Sequence, residues 1–182
     1  MDKQRQLLAD FNFTQKYARY NPALKRRETW DESIDRVMQM HTEYLGDLTA
    51  NLSDELEDIA QAMKSRRILG SQRSLQFGGQ AVLDKHARSY NCTSCYVDRP
   101  ERFGQALYLL LCGAGVGYSV QDHHIAQLPA VNSAQQMAFK SHYRYSIQDS
   151  IEGWAAAFDE LVFAYLLDTP IPSFDYSLIR PK

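Results

Sequence analysis

Three cysteines carry most of the chemistry this sequence can offer. Cys92-Thr-Ser-Cys95 is a C-x-x-C pair, and Cys112 stands apart from it. A zinc site is not expected, because no second pair follows and no histidine sits at ligand spacing. His123 and His124 are adjacent, so on a strand or loop they would point apart. A thioredoxin-like pair opens a helix, whereas this one falls in a strand pattern. On its own the pair reads as two small strand residues, one facing in and one out. Gly113-Ala-Gly-Val-Gly117 has two readings. It could be a turn that cradles phosphate, or a helix C-cap that permits a tight reversal. It follows a helix and precedes a strand, the reverse of a dinucleotide-binding turn, and it lacks a P-loop lysine. Either way, the glycines let backbone approach a ligand closely.

Composition narrows the setting for this chemistry. The 182 residues are 45% hydrophobic and 23% charged, values of a globular chain. The formal charge of -2 and pI near 6.2 predict no general attraction to nucleic acid or anionic membrane, so no direct DNA binding is expected. Met1 to Asp10 lacks the apolar run of a signal peptide. The longest apolar run, Ala106 to Cys112, is too short to span a bilayer. A cytoplasmic chain is expected. In that reducing compartment, a cysteine that cycles between thiol and disulfide is more readily catalytic than structural.

The elements that must position these residues fall into two regions. Residues 1–67 read as a helical N-terminal region. Thr29 to Glu32 forms a capping box, and Trp30, Ile34, Val37, Met38 and Leu45 follow at helical spacing. A further helix starts near Ser53 and ends in the basic turn Lys64, Arg66, Arg67. Residues 68–182 change character. Ser71 to Gly79 is predicted as a short strand between glycine turns, and Asn91 to Val97 as another. Asp98 is the expected N-cap of an apolar helix over 101–112. Tyr118 to Gln121 is predicted as strand, Val131 to Tyr145 as a loop, Ser150 to Leu167 as a long helix, and Phe174 to Ile179 as a last strand. Strand, helix, glycine turn, strand is the start of an α/β unit.

Five motifs then occur in order. They are Arg73-Ser-Leu-Gln-Phe-Gly-Gly79, Tyr90-Asn-Cys92, Leu109-Leu-Leu-Cys-Gly-Ala-Gly-Val-Gly-Tyr-Ser-Val120, Ser150-Ile-Glu-Gly-Trp154 and Phe174-Asp-Tyr-Ser-Leu-Ile-Arg-Pro181. Together they resemble the first part of the catalytic subunit of ribonucleotide reductases. The Glu-Gly-Trp helix and the Arg-Pro ending are most similar to the adenosylcobalamin-dependent class II family. The resemblance is strongest from about Ser65 to Pro181.

That resemblance implies a fold and a chemistry. The fold would be a helical N-terminal arm followed by the first, incomplete part of a ten-stranded α/β barrel. The activity would be reduction of ribonucleoside di- or triphosphates to 2′-deoxyribonucleotides for DNA synthesis, by thiyl radical chemistry. Cys92 matches the first of two cysteines that supply reducing equivalents and close to a disulfide. Asn91, Ser74, Ala114 and Gly115 match substrate-binding positions. Asp98, Gln121 and His124 fall near positions that bind a deoxynucleotide effector. Cys112 reads as core, and Cys95 has no role in the resemblance. Adenosylcobalamin is the implied cofactor, with a diiron-generated radical from a second subunit as the alternative. A thioredoxin-like reductant is an implied partner.

The thiyl cysteine, the second redox cysteine and the C-terminal cysteine pair have no counterpart among Cys92, Cys95 and Cys112. The chain is therefore expected to be inactive alone and to be completed by the remainder of the reductase, as a second chain or a spliced segment. A non-catalytic nucleotide-binding or regulatory module built on Gly113 to Gly117 is the other reading.

Overall fold

The computed structural model describes residues 3–181, which divide into two compact units, one ending at Tyr90 and the other beginning at Asn91. The first unit is helical. Its elements are α1 (Lys3–Lys16), a short antiparallel pair β1 (Tyr20–Asn21) and β2 (Arg26–Arg27), α2 (Trp30–Leu45), α3 (Ser53–Lys64), α4 (Gln72–Phe77) and α5 (Gln80–Asp84). The expected box at the start of α2 is present. The Thr29 hydroxyl accepts from the Glu32 N–H, and the Glu32 carboxylate accepts from the Thr29 N–H. Residues at helical spacing on α2 meet α3 and α4 in a core of Ile34, Val37, Met63 and Leu75, with Tyr17, Trp30 and Met38 packed against it. Trp30 fits because its indole N–H donates to the Met63 carbonyl at 3.0 Å.

Residues 71–79 were expected as strand, and the structure makes them α4. A helix of this length has little stability of its own. Its C-terminal carbonyls are held from elsewhere in the unit. Arg36 donates to the carbonyls of Leu75 at 2.7 Å and Gly78 at 2.8 Å, and Arg19 Nε donates to that of Gln76 at 3.1 Å. Arg36 is in turn fixed by Glu28 at 2.8 Å, whose carboxylate also accepts from the fully buried Ser33 hydroxyl.

The second unit consists of two parallel strand–helix–strand hairpins. In the first, β3 (Cys92–Tyr96) and β4 (Gly115–Ser119) flank α6 (Arg102–Leu111). In the second, β5 (His142–Ser146) and β6 (Ile171–Asp175) flank α9 (Ile151–Leu166). Between the hairpins lie α7 (Asp122–Ile125) and α8 (Ala134–Phe139). Residues 131–145, expected as a loop, thus contain a capped helix and a strand. Ser133 and Gln136 form the box that starts α8.

Asp98 does not cap α6, as expected from its position. The helix begins at Arg102 after Glu101, without a side-chain cap, and Asp98 pairs with Arg99 and Arg102 instead. The missing cap comes from the other hairpin: the Gly104 N–H donates to the Asp159 carboxylate at 2.9 Å. Gly104 is what lets α9 come this close, since a Cβ there would lie 2.2 Å from the Asp159 carboxylate. At the far end of α9, Lys140 and Asn132 donate to the carbonyls of Ala164 and Leu167. Among the described residues, the strands form two-stranded sheets and no closed barrel.

Candidate functional site

The site assembles around β3 and β4. Their register places Cys92 opposite Gly115, Ser94 opposite Gly117 and Tyr96 opposite Ser119. Alternation along β3 turns Cys92, Ser94 and Tyr96 to the exposed face, and Thr93 and Cys95 to the half-buried one. The face bearing Cys92 is open because its partner strand offers glycine at two of three facing positions. A Cβ at Gly115 would stand 4.0 Å from that of Cys92 and 3.8 Å from the Asn91 carbonyl, an ordinary contact. The glycines are therefore not required by crowding within the pair. They leave bare backbone beside an exposed thiol.

The predicted site residues are only partly brought together. Asn91, Cys92, Ala114 and Gly115 lie side by side: the Gly115 N–H donates to the Asn91 carbonyl at 2.9 Å. Ala114 is buried, and its N–H is taken by the Leu109 carbonyl, so its contribution is to shape the backbone at this corner. Ser74 lies in the other unit, on α4, and is half-buried. Gln121 precedes α7 in extended conformation. His124 sits at the opposite end of the strand pair from Cys92, with Nδ1 3.0 Å from the Ser119 hydroxyl and its ring 4.3 Å from that of Tyr96. The rise of a strand puts roughly 13 Å between the level of Cys92 and that of Tyr96. Asp98 carries two arginine partners, as described above.

Three sequence readings change. Of the run Gly113 to Gly117, only Gly113 adopts positive φ, at 93°, where it ends α6; Gly115 and Gly117 lie within β4. The helix C-cap reading therefore describes the turn, and the rest of the motif is strand. The strand begins earlier than predicted because glycine has low strand propensity by itself and pairing with β3 decides the matter. His123 and His124 do not point apart. They lie on α7, not on a strand, and their ring centroids are 3.9 Å apart. Among the described residues, no group of three or more His, Cys, Asp or Glu side chains is placed to hold a metal ion.

Cys95 and Cys112 are placed away from the open face. Cys112 is 1% exposed. Cys95 lines an apolar cavity of about 480 Å³ on the helix side of the sheet, with Val97, Phe103, Leu107, Tyr118 and Phe158. Cys92 and Cys95 thus face opposite sides of one strand. Sequence reasoning missed Ser94, Tyr96 and Ser119 as part of the Cys92 face. The two-residue period from Cys92 held the signal for Ser94 and Tyr96.

No protein-family model matches the chain. It is 28% identical over 183 residues to a putative adenosylcobalamin-dependent ribonucleoside-triphosphate reductase of Mycobacterium phage D29, covering 86% of this chain and 26% of that protein. It is 27% identical over 145 residues to the adenosylcobalamin-dependent ribonucleoside-triphosphate reductase of Lactobacillus helveticus, covering 64% and 20%. The Lactobacillus leichmannii reductase of the same name is 26% identical over 147 residues, covering 65% and 20%. A crystal structure of a B12-dependent class II ribonucleotide reductase superposes with a TM-score of 0.74 at 21% identity, over 94% of this chain and 32% of that one.

The fold is thus that of part of a class II ribonucleotide reductase. The curated relatives are adenosylcobalamin-dependent ribonucleoside-triphosphate reductases, as the ordered motifs indicated, and the chain spans about a quarter of their length or less. Among the described residues, no helix is long and apolar enough to cross a membrane.

Proposed function

We propose that this chain contributes the Cys92 thiol and the adjacent glycine-lined backbone to the reduction of ribonucleoside di- or triphosphates, with the triphosphate favoured by the relatives' names. The observation that carries the reading is the pairing of an exposed thiol with the equally exposed backbone of Gly115. A sugar laid on that face would meet a proton donor and backbone together.

A thiyl radical formed elsewhere in the reductase removes the 3′ hydrogen of the ribose. The Cys92 thiol gives its proton to the departing 2′ hydroxyl, which leaves as water. Cys92 and a second cysteine of the reductase together supply two electrons and close to a disulfide, and the second cysteine's hydrogen goes to C2′ in place of the lost hydroxyl. The 3′ hydrogen is returned, and a thioredoxin-like dithiol reduces the disulfide for the next cycle. Asn91 and Gly115 hold the sugar edge, and Ser74 binds near the phosphate. Asp98, Gln121 and His124 form part of an effector site.

Bound to the complete reductase, adenosylcobalamin would supply the initiating radical. No residue of this chain is assigned to holding the cofactor, whose site in this reading lies mostly outside it. The radical cysteine, the second redox cysteine and the cofactor site are supplied by further reductase polypeptide, and the strands described here form part of its ten-stranded barrel.

The test is turnover. This chain combined with the rest of the reductase should reduce a ribonucleoside triphosphate in the presence of adenosylcobalamin and a dithiol, and neither part should do so alone. Cys92→Ser should assemble normally and lose dithiol-supported turnover. Full activity of the serine variant would end the redox assignment.

A further inference from the structure

We propose that Arg19 and Arg88, gathered around the Gly78–Gly79 turn of the first unit, form a binding site for a phosphate-bearing anion.

The surroundings of these arginines leave positive charge over. Glu28 is the carboxylate in this cluster, and it is consumed by Arg36 through two bonds of 2.8 Å. It accepts further from the Ser33 hydroxyl and from the Arg19 backbone N–H. Arg36 spends its remaining donors on the carbonyls of Leu75 and Gly78. Arg36 and Glu28 thus make a closed, neutral pair.

Arg19 and Arg88 have no such partner. The Arg19 side chain bonds only the Gln76 carbonyl, through Nε, so its two terminal nitrogens have no acceptor among the described residues. The Arg88 guanidinium rests 5.9 Å from the Phe77 ring and makes no hydrogen bond among the described residues. Neither pairs with a carboxylate there, yet both are half-buried. Burial first, then the neighbouring charge of Arg36, pull the Arg19 pKa below its ordinary value, with Glu28 opposing them and Arg88 adding a little. Positive charge in excess of the nearby carboxylate is costly in a half-buried cluster.

The turn beside them is suited to a ligand. Gly79 has φ of 94°, and a Cβ there would lie 3.8 Å from Arg19 Nη1. The Arg36 stem is the nearest group, 3.4 Å from that Cβ position, and the Arg19 guanidinium lies just beyond it. Planar forks with free N–H groups select oxyanions that accept several bonds at once, and phosphate is the common one. The Phe77 ring is engaged by the guanidiniums of Arg73 at 5.1 Å and Arg88, so it supports them and is not a platform for a base. The ligand is recognised by its phosphate. This site needs nothing from Cys92 and goes beyond the redox reading.

The experiment is calorimetric titration of the 182-residue chain with inorganic pyrophosphate and, separately, with CTP. Saturable binding that weakens with salt is expected. Arg88→Gln should lower affinity at least tenfold, with an unchanged far-ultraviolet circular dichroism spectrum, and Arg88→Lys should retain most of it. Arg88→Gln is the decisive variant, because Arg19 also holds a helix carbonyl and its loss can disturb α4. Equal binding of both probes identifies the phosphate group alone as the ligand. Binding of CTP only, lost in Arg88→Gln, identifies a ribonucleotide. Absence of saturable binding to either probe, or undiminished affinity in Arg88→Gln, overturns the proposal. Pyrophosphate carries no ribose, so its titration separates this site from the redox assignment.

Discussion

The two parallel hairpins of the second unit share a plan and differ in what stands on one face. Both have strands of the same length in an unbroken parallel register, with a helix between them. Both lead strands alternate exposed and half-buried residues in the same order. On β5 and β6 the exposed face is cross-linked. Arg144 pairs with Asp175 at 2.7 Å, and the Ser146 hydroxyl donates to the same carboxylate at 3.0 Å. On β3 and β4 the equivalent face holds Cys92 and Ser94 opposite two glycines. One hairpin closes its face with its own side chains, and the other keeps it bare. A scaffold that needed only stability would fill both, since glycine inside a strand weakens it.

Filling the bare face is therefore the strongest way to break the comparison. Gly117→Val should reduce turnover of the assembled reductase by about 100-fold, the scale expected when a substrate is displaced by about an ångström. The fold should persist, because a Cβ at Gly117 meets nothing nearer than the Thr93 carbonyl at 3.8 Å. Circular dichroism and steady-state rates measured on one preparation would check both halves. Wild-type turnover would mean that the glycines serve packing alone.

The contact between the hairpins should respond in the opposite sense. Gly104→Ala forces a methyl into the Asp159 carboxylate and should destabilise the chain by about 1–3 kcal/mol. That lowers Tm by several degrees in a chain of this size. A thermal melt reads it directly, and an unshifted Tm would show that α6 and α9 can separate without loss. In the first unit, Thr29→Ala removes one half of the box that starts α2 and should cost about 1 kcal/mol. Denaturant unfolding would measure it, and the assembled reductase should lose little rate.

The smallest effect concerns pH, and its sign differs between two aspartates of the second unit. The Ser177 N–H first, then Arg144, hold Asp175 well below the usual carboxylate range. Its stabilising contribution is complete above the unfolded carboxylate value of about 4 and is lost as pH falls below it. Burial raises Asp159, with Glu101 and Glu160 adding to the effect against the Gly104 N–H. Its folded form takes up a proton first, so stability rises as pH falls toward about 4. Melts between pH 7 and 3 should show Asp175→Asn losing part of the acid-side fall, and Asp159→Asn losing part of the rise. The same pH profile in both variants as in wild type would contradict these assignments.

How much was legible depended on where each element finds its partners. The Thr29–Glu32 box, the Ser150 start of α9 and the apolar helix ending near Cys112 are local, and their residues announced them. Strand β3 was legible from its own residues. By contrast, α4 is stabilised by arginines 39 to 57 residues away, so its short glycine-bounded sequence read as strand. Strand β5 exists through its pairing with β6, which begins at Ile171 and contains the buried Pro172. Prolines beside a helix end read as a terminator, and a strand at the edge of its sheet tolerates one. Asp98 had the right spacing for a cap and found arginines within reach instead.

By itself the sequence determined the strand, helix and strand order of the first hairpin and the long helix of the second. These follow from residue type and near-neighbour spacing, which act before any long-range contact forms, whereas Cys92 was singled out by the resemblance that the five ordered motifs carry. Only the tertiary structure decided that Gly115 and Gly117 lie across from Cys92 and Ser94, and that Cys95 turns to an apolar cavity. It also decided that Arg19 and Arg88 lie beside the Arg36–Glu28 pair and form no ion pair of their own among the described residues. Each is a pairing between distant segments, set by strand register and helix packing, and no local pattern encodes which residue will stand opposite which.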